Sequence, residues 1–299
     1  MKKSMLLIAA FAFSACAAFA QDLTSKKGEA YLPATGDWSI GIEATPLLDY
    51  LGNFISGNLL DSAPSWNNIN GNQTIIGKMY KSESKAYRAI VRIGMTSNKS
   101  IGKVDNDLIT TPPAFPATSV KKDDVMKSIS HFIGLGAGVE KRRGKTRLQG
   151  FYGVDFMLWM SGSKNTYTYG NAFSALNPNP TSTDWGTNID PSYSTANGGW
   201  GGRETENKSG STFGFSVRPF IGAEYFILPK ISIGAEFGWG IGFVRTGEGT
   251  ATVRSSNPAT GIEGPTDYIT SGKTSAFMFD TDRNAFGSKN GILRMNFHF

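Results

Sequence analysis

Residues 129–139 read ISHFIGLGAGV, and they alternate: Ile129, Ile133, Leu135, Ala137 and Val139 take one parity, Ser128, Ser130, Gly134, Gly136 and Gly138 the other. Successive side chains of a strand point to opposite faces, so this is a two-faced strand. The less apolar face decides the fold. A strand face that meets water is expected to carry Thr, Lys and Glu, whereas glycine weakens a strand and supplies nothing to pack. Glycine at every second position suits instead the cramped, curved inside of a narrow barrel.

The same alternation runs outward along the chain in both directions. It opens at 38–44, recurs at 86–95 with Ile90 as the one exception, then at 147–159, 213–225 and 231–243, and closes at 293–299. A weaker segment near 73–80 makes eight strands. Gly41, Gly94, Gly153, Gly214, Gly222, Gly234, Gly238, Gly240 and Gly242 join the polar parity, while Trp38, Tyr152, Tyr225, Trp239, Phe297 and Phe299 fall on the apolar one.

Connections alternate as regularly as strands. Short ones fall near 81–84, 141–145 and 228–230; long ones rich in Gly, Asn, Pro and Ser fall near 52–72, 98–126, 164–209 and 247–287. The expected fold is therefore all-β: an eight-stranded antiparallel up-and-down transmembrane β-barrel with short periplasmic turns and four long external loops. A soluble lipocalin-like barrel would show the same period with its faces exchanged. The glycine-rich polar parity and the outward aromatics, several near strand ends where a girdle would meet headgroups, favour the membrane form.

Composition agrees. The chain has 299 residues, 36 of them Gly, one Cys, two His and a formal charge of +6, which excludes a disulfide scaffold and makes a metal-rich enzyme unexpected. Lys2 and Lys3 precede an apolar run and the small-residue site Ala18-Phe19-Ala20, the pattern of a secretory signal peptide over 1–20. Cys16 lies within that signal, and Phe13-Ser14-Ala15 before it departs from a Leu-led lipidation motif. Residues 21–36 read as a periplasmic lead and 37–299 as one barrel domain, with no later apolar run of the ~20 residues that a spanning helix needs.

The signal, the eight-strand meander and the ending Leu293-Arg294-Met295-Asn296-Phe297-His298-Phe299 resemble the small bacterial outer-membrane β-barrels, the group of the outer membrane protein A transmembrane domain and the X and W kinds. The resemblance implies an integral outer-membrane protein with loops facing the exterior. It implies contact with outer-membrane lipid, including lipopolysaccharide. It also implies an assembly signal at Phe297 and Phe299, read by the barrel assembly machinery during insertion. The chain stops at Phe299, where the protein A kind continues into a peptidoglycan-binding domain. The resemblance is specific for architecture and unspecific for activity.

Placing the polar parity inside collects Glu43, Glu140, Asp155, Glu224 and Glu236 with Arg88, Arg92, Arg147, Arg218 and Arg294. A balanced set is expected to form a paired plug, because an unpaired buried charge costs several kcal/mol. The alternative is a narrow channel for small solutes. Glu43 and Arg294 lie at similar depth on the first and last strands, which must close on each other, and are predicted neighbours. The 164–209 loop carries Tyr167, Tyr169, Trp185, Tyr193 and Trp200, rings that either stack on a glycan or protein partner or pack the loop onto the rim. Leu47, Leu48, Leu51, Phe54, Ile55, Leu59 and Leu60 suggest a short amphipathic helix. Lys141, Arg142, Arg143 and Lys145 crowd one short turn, and the long loops are acidic, so the basic charge does not advertise nucleic-acid binding.

Enzyme signatures are mostly absent, and no catalytic role is expected. Ser271-Gly272-Lys273-Thr274 lacks the earlier glycine of a phosphate loop, since that position is Asp267. Lipid-A deacylases of the resembling group have His-x-Ser, but Ile133 follows His131 at that spacing. Two distant histidines make no metal site, and no cofactor is expected.

Overall fold

The computed structural model describes residues 23–44, 47, 50, 74–109, 119–172, 177, 180–185, 202–257, 261–280 and 292–299. The strands are β1 (Trp38–Glu43), β2 (Ile75–Ser82), β3 (Lys85–Asp105), β4 (Lys121–Arg143), β5 (Leu148–Thr168), β6 (Gly202–Lys208), β7 (Thr212–Leu228), β8 (Ile231–Gly238), β9 (Gly240–Thr246), β10 (Gly249–Asn257), β11 (Gly261–Ser271), β12 (Thr274–Asp280) and β13 (Ile292–His298). All pairings are antiparallel. β1 to β5 pair in sequence, β5 pairs with β7, β7 with β8, β8 with β13 and β13 with β1, which closes an eight-stranded barrel.

Closure follows the expected register: Glu43 stands opposite Arg294. Trp38 and Phe299 exchange both backbone hydrogen bonds, at 3.2 and 2.8 Å. Counting inward from that bonded pair makes Glu43 and Arg294 a non-bonded pair, the kind whose side chains approach more closely.

Two readings of the strands need correction. The segment 231–243 is not one strand, because Pro219 stands across from Trp239. Trp239 N–H donates to the Pro219 carbonyl at 3.0 Å, but proline has no N–H to return, so the ladder breaks between β8 and β9. The long connections near 98–126, 164–209 and 247–287 also contain strand where loop is expected. β3 and β4 stay paired out to Asp105 and Lys121, β5 runs to Thr168, and β6, β10 and β11 extend the sheet beyond the barrel, while β9 and β12 pair on the other side of β7. The suggested helix around 47–60 falls almost wholly outside the described residues, as do the signal segment, Tyr193 and Trp200.

Burial is inside-out relative to a water-soluble protein. Ile93, Leu135, Phe156, Phe213, Ile221 and Phe237 are exposed on the barrel wall, whereas Arg88, Glu140, Arg218, Glu224 and Glu236 are at most 3% exposed. On β5 the exposed apolar row runs from Leu148 to Met160. At ~3.3 Å per residue and a tilt of ~40° that row is roughly 30 Å tall, close to an apolar band of ~25 Å.

Several interior glycines are required by packing. A Cβ on Gly138 would strike the Asp155 carboxylate and lie 2.7 Å from the Val154 carbonyl oxygen, and one on Gly238 would sit within the Arg218 guanidinium. Ile90, the exception to the alternation of β3, points inward and forms an apolar layer with Ile76, Met157 and Trp159, against which Phe132 and Val244 pack.

Candidate functional site

The barrel interior is filled in layers. Nearest the short turns, Glu140 accepts from Lys78 Nζ at 2.9 Å and from Arg142 Nη1 at 2.8 Å. Glu224 accepts from Arg142 Nη2 at 2.6 Å, from Asn296 Nδ2 at 2.6 Å and from the Ser232 hydroxyl. Gln149 Oε1 takes Nε and Nη2 of Arg142 at 2.9 and 2.7 Å. His298 closes this layer between the rings of Tyr80 and Phe226, at 5.7 and 5.1 Å.

One step deeper, Glu236 binds Arg88 Nη1 at 2.9 Å and Arg218 Nη1 at 2.5 Å, and Asp155 forms an ion pair with Arg88 Nη2 at 3.2 Å without a hydrogen bond. The Arg88 guanidinium lies 3.9 Å over the Phe220 ring, and that of Arg92 lies 4.3 Å over Phe132. The apolar layer of Ile76, Ile90, Met157 and Trp159 lies beyond Arg88 toward the long-loop end.

Of the ten charged residues assigned inside, nine are carried inward on barrel strands and Arg147 lies outside the strands. It precedes β5, donates from Nε to the Phe226 carbonyl at 2.8 Å and from Nη2 to the Ile227 carbonyl at 2.5 Å, and stacks 4.0 Å over Tyr31 of the N-terminal lead. Its parity was right but the strand begins one residue later. Lys78 and Arg142 take its place, so six cations face five carboxylates. Both were legible in principle: Lys78 shares the even row of Ile76 and Tyr80, and Arg142 continues the even row of Gly138 and Glu140.

A second site lies on the sheet beyond the barrel. Asp124, fully buried, accepts from the amides of Gly170 and Thr183 at 2.7 Å each, and Asp107 accepts from the Thr181 amide and Asn177 Nδ2, also at 2.7 Å. Asn171 Nδ2 donates to the Asp105 carbonyl at 2.7 Å, and Arg203 donates to the carbonyls of Asn171 and Pro180 at 2.5 Å. These bonds strap 169–185 to the β3–β4 hairpin and β6. Burial works to raise the Asp107 carboxyl, but its bonds from Asn177 and Thr181 and the Arg203 charge outweigh that and hold it below the usual range. Burial lowers Arg203 despite the opposing influence of Tyr169, Asp124 and Asp107.

Tyr167 and Tyr169 stack on each other, 6.5 Å apart and 14° from parallel. Tyr169 donates to the Glu204 carbonyl at 2.8 Å and carries Arg203 at 4.6 Å over its ring. Both tyrosines therefore pack the sheet, and both also line a cavity of about 460 Å³ with Arg203, Thr205 and Arg254. Trp185 is half-buried at the end of the strap and does not join that lining. Phe297 is half-buried on the outer parity and Phe299 is 67% exposed beside Trp38. Among the described residues no three His, Cys, Asp or Glu side chains converge on a metal-sized site. Compared with family models, curated proteins and solved structures, the chain gives no match to any of the three.

Proposed function

We propose that this chain is an integral bacterial outer-membrane β-barrel of the small kind, with a plugged, charge-paired lumen, and that it works as a surface-binding module through the sheet raised beyond its apolar wall. The observation that carries this reading is the inversion of burial: apolar side chains cover the wall while paired arginines and carboxylates fill the inside. In water such a wall would be a very large exposed apolar patch. In a bilayer it is the required surface, and a closed barrel leaves no unpaired strand edge within it. The exposed Phe299 at the closing strand supports recognition by the assembly machinery, and the end carrying β6, β10 and β11 faces the exterior in this reading.

The filled layers favour a structural plug over a channel. The test is to fold residues 21–299 into detergent and vesicles, compare gel mobility with and without boiling, and record conductance in planar bilayers. A boiling-dependent shift with no discrete openings is expected. Steady openings would replace the plug with the narrow channel, and a chain soluble without detergent would defeat the membrane reading.

A further inference from the structure

β6 and β10 pair so that Arg203 stands directly opposite Arg254, just past an irregularity between Thr252 and Val253. Directly opposed residues of an antiparallel pair share a face, and like charges there repel. The two arginines differ in freedom. Arg203 is held rigidly by the carbonyls of Asn171 and Pro180 and by the Tyr169 ring. The Arg254 side chain is exposed and takes part in no ion pair or side-chain hydrogen bond among the described residues. Both border the cavity of about 460 Å³, within the ~300–1,000 Å³ of ordinary ligand pockets.

The described lining contains no carboxylate. Glu204, next to Arg203, sends its side chain to Asn207 at 2.5 Å, and Asp107 and Asp124 are turned to backbone amides. The lining is two guanidiniums, that of Arg203 already bonded to carbonyls and that of Arg254 exposed, with the stacked pair Tyr167 and Tyr169, Thr168, Thr205, Asn171, Ala172 and Pro265. A planar fork of donors matches a carboxylate or phosphate, and a tyrosine pair offers a flat surface to a sugar ring.

We infer that this cavity binds an anionic sugar unit, its carboxylate or phosphate drawn between Arg254 and Arg203 and its ring set against the tyrosines. The inference rests on the surface-binding reading above and names its ligand class. An anion there would also relieve the opposition of the two arginines, so the site and the stability of the β6–β10 pair are linked.

The experiment uses residues 21–299 folded in detergent, with the boiling-dependent gel shift checked on the same sample. Titration calorimetry is run with digalacturonate, glucose 6-phosphate, neutral maltose and inorganic phosphate. At least one of the two anionic sugars should bind, and the two arms separate carboxylate from phosphate as the preferred head. Maltose and inorganic phosphate should bind at least about tenfold more weakly, as loss of a charge-assisted contact or of the ring contact implies. Arg254→Gln should weaken the anionic sugar about tenfold or more, and Arg254→Lys should restore only part because an ammonium lacks the fork. Equal binding of maltose, equal binding of inorganic phosphate, an unaffected Arg254→Gln, or no binding by a heat-shifting barrel would each overturn the inference. A chain that shows no gel shift and needs no detergent would instead overturn the membrane reading, and this inference with it.

Discussion

Replacing Glu236 with Gln keeps the shape of the side chain and removes one charge from the centre of the barrel. Glu236 is 2% exposed and touches Arg88 at 2.9 Å and Arg218 at 2.5 Å. At an effective dielectric of about 20, each contact is worth roughly 6 kcal/mol of attraction before the cost of removing the charges from water. That cost cancels most of the gain in the intact pair. It does not vanish when one partner is neutralised, because both guanidiniums stay buried. Asp155, at 3.2 Å from Arg88, still compensates part of the loss. The expected net effect of Glu236→Gln is therefore a destabilisation of about 3–5 kcal/mol, the range for breaking a buried pair from one side. Urea unfolding in lipid vesicles, followed by tryptophan fluorescence, measures it. The control is Glu206→Gln on the outer sheet, whose pairs with Lys164 and Lys208 at 2.7 and 2.6 Å involve half-exposed lysines and should be worth about 1 kcal/mol or less. If the two variants lose the same stability, the interior charges are solvated and the plug argument fails.

Other perturbations probe the wall, the packing and the outer strap. Leu135→Arg, on a side chain 54% exposed, should cost about 2–4 kcal/mol in vesicles if that position faces lipid; a change within ~0.5 kcal/mol, as at an ordinary wet surface, would contradict the membrane reading. Gly138→Val should lower folding yield and stability by about 1–3 kcal/mol through its clash with Asp155 and the Val154 carbonyl, read as loss of the heat-shifting band. Asp107 has a carboxyl held below its ordinary 3.8, so its contribution is full above that value and is lost as pH falls through the lower folded value. Exchange protection of the Thr181 amide, which donates to Asp107, should be steady at neutral pH and fall on acidification below 3.8, and this acid dependence should be absent in Asp107→Asn, which has no carboxyl to protonate; protection unchanged in strong acid would refute that linkage.

Much of the barrel was legible because its two faces meet different surroundings, and a period of two records that difference directly. The eight strands, the inner parity of Arg88, Asp155, Glu224 and Glu236, and the pairing of Glu43 with Arg294 all follow from alternation plus closure. The outer sheet was not legible for the complementary reason. β6, β10 and β11 are rich in Thr, Ser, Gly and charge, with little beyond Ala251 and Val253 of β10 to set an apolar period, and they read as loop. Strand ends are blurred for the same cause: Arg147 shares the inner parity of β5 but precedes it, and Arg142 belongs to β4 although its basic neighbours read as a turn. No spacing in the chain could announce that Arg203 faces Arg254, or that Glu236 meets Arg88 from across the barrel. Inward and outward faces are written along each barrel strand, since that choice is made locally by each residue's affinity for its surroundings. Which inward charge pairs with which, and which outer residues share a cavity, emerges from register and closure, because those partners come from strands distant in the chain.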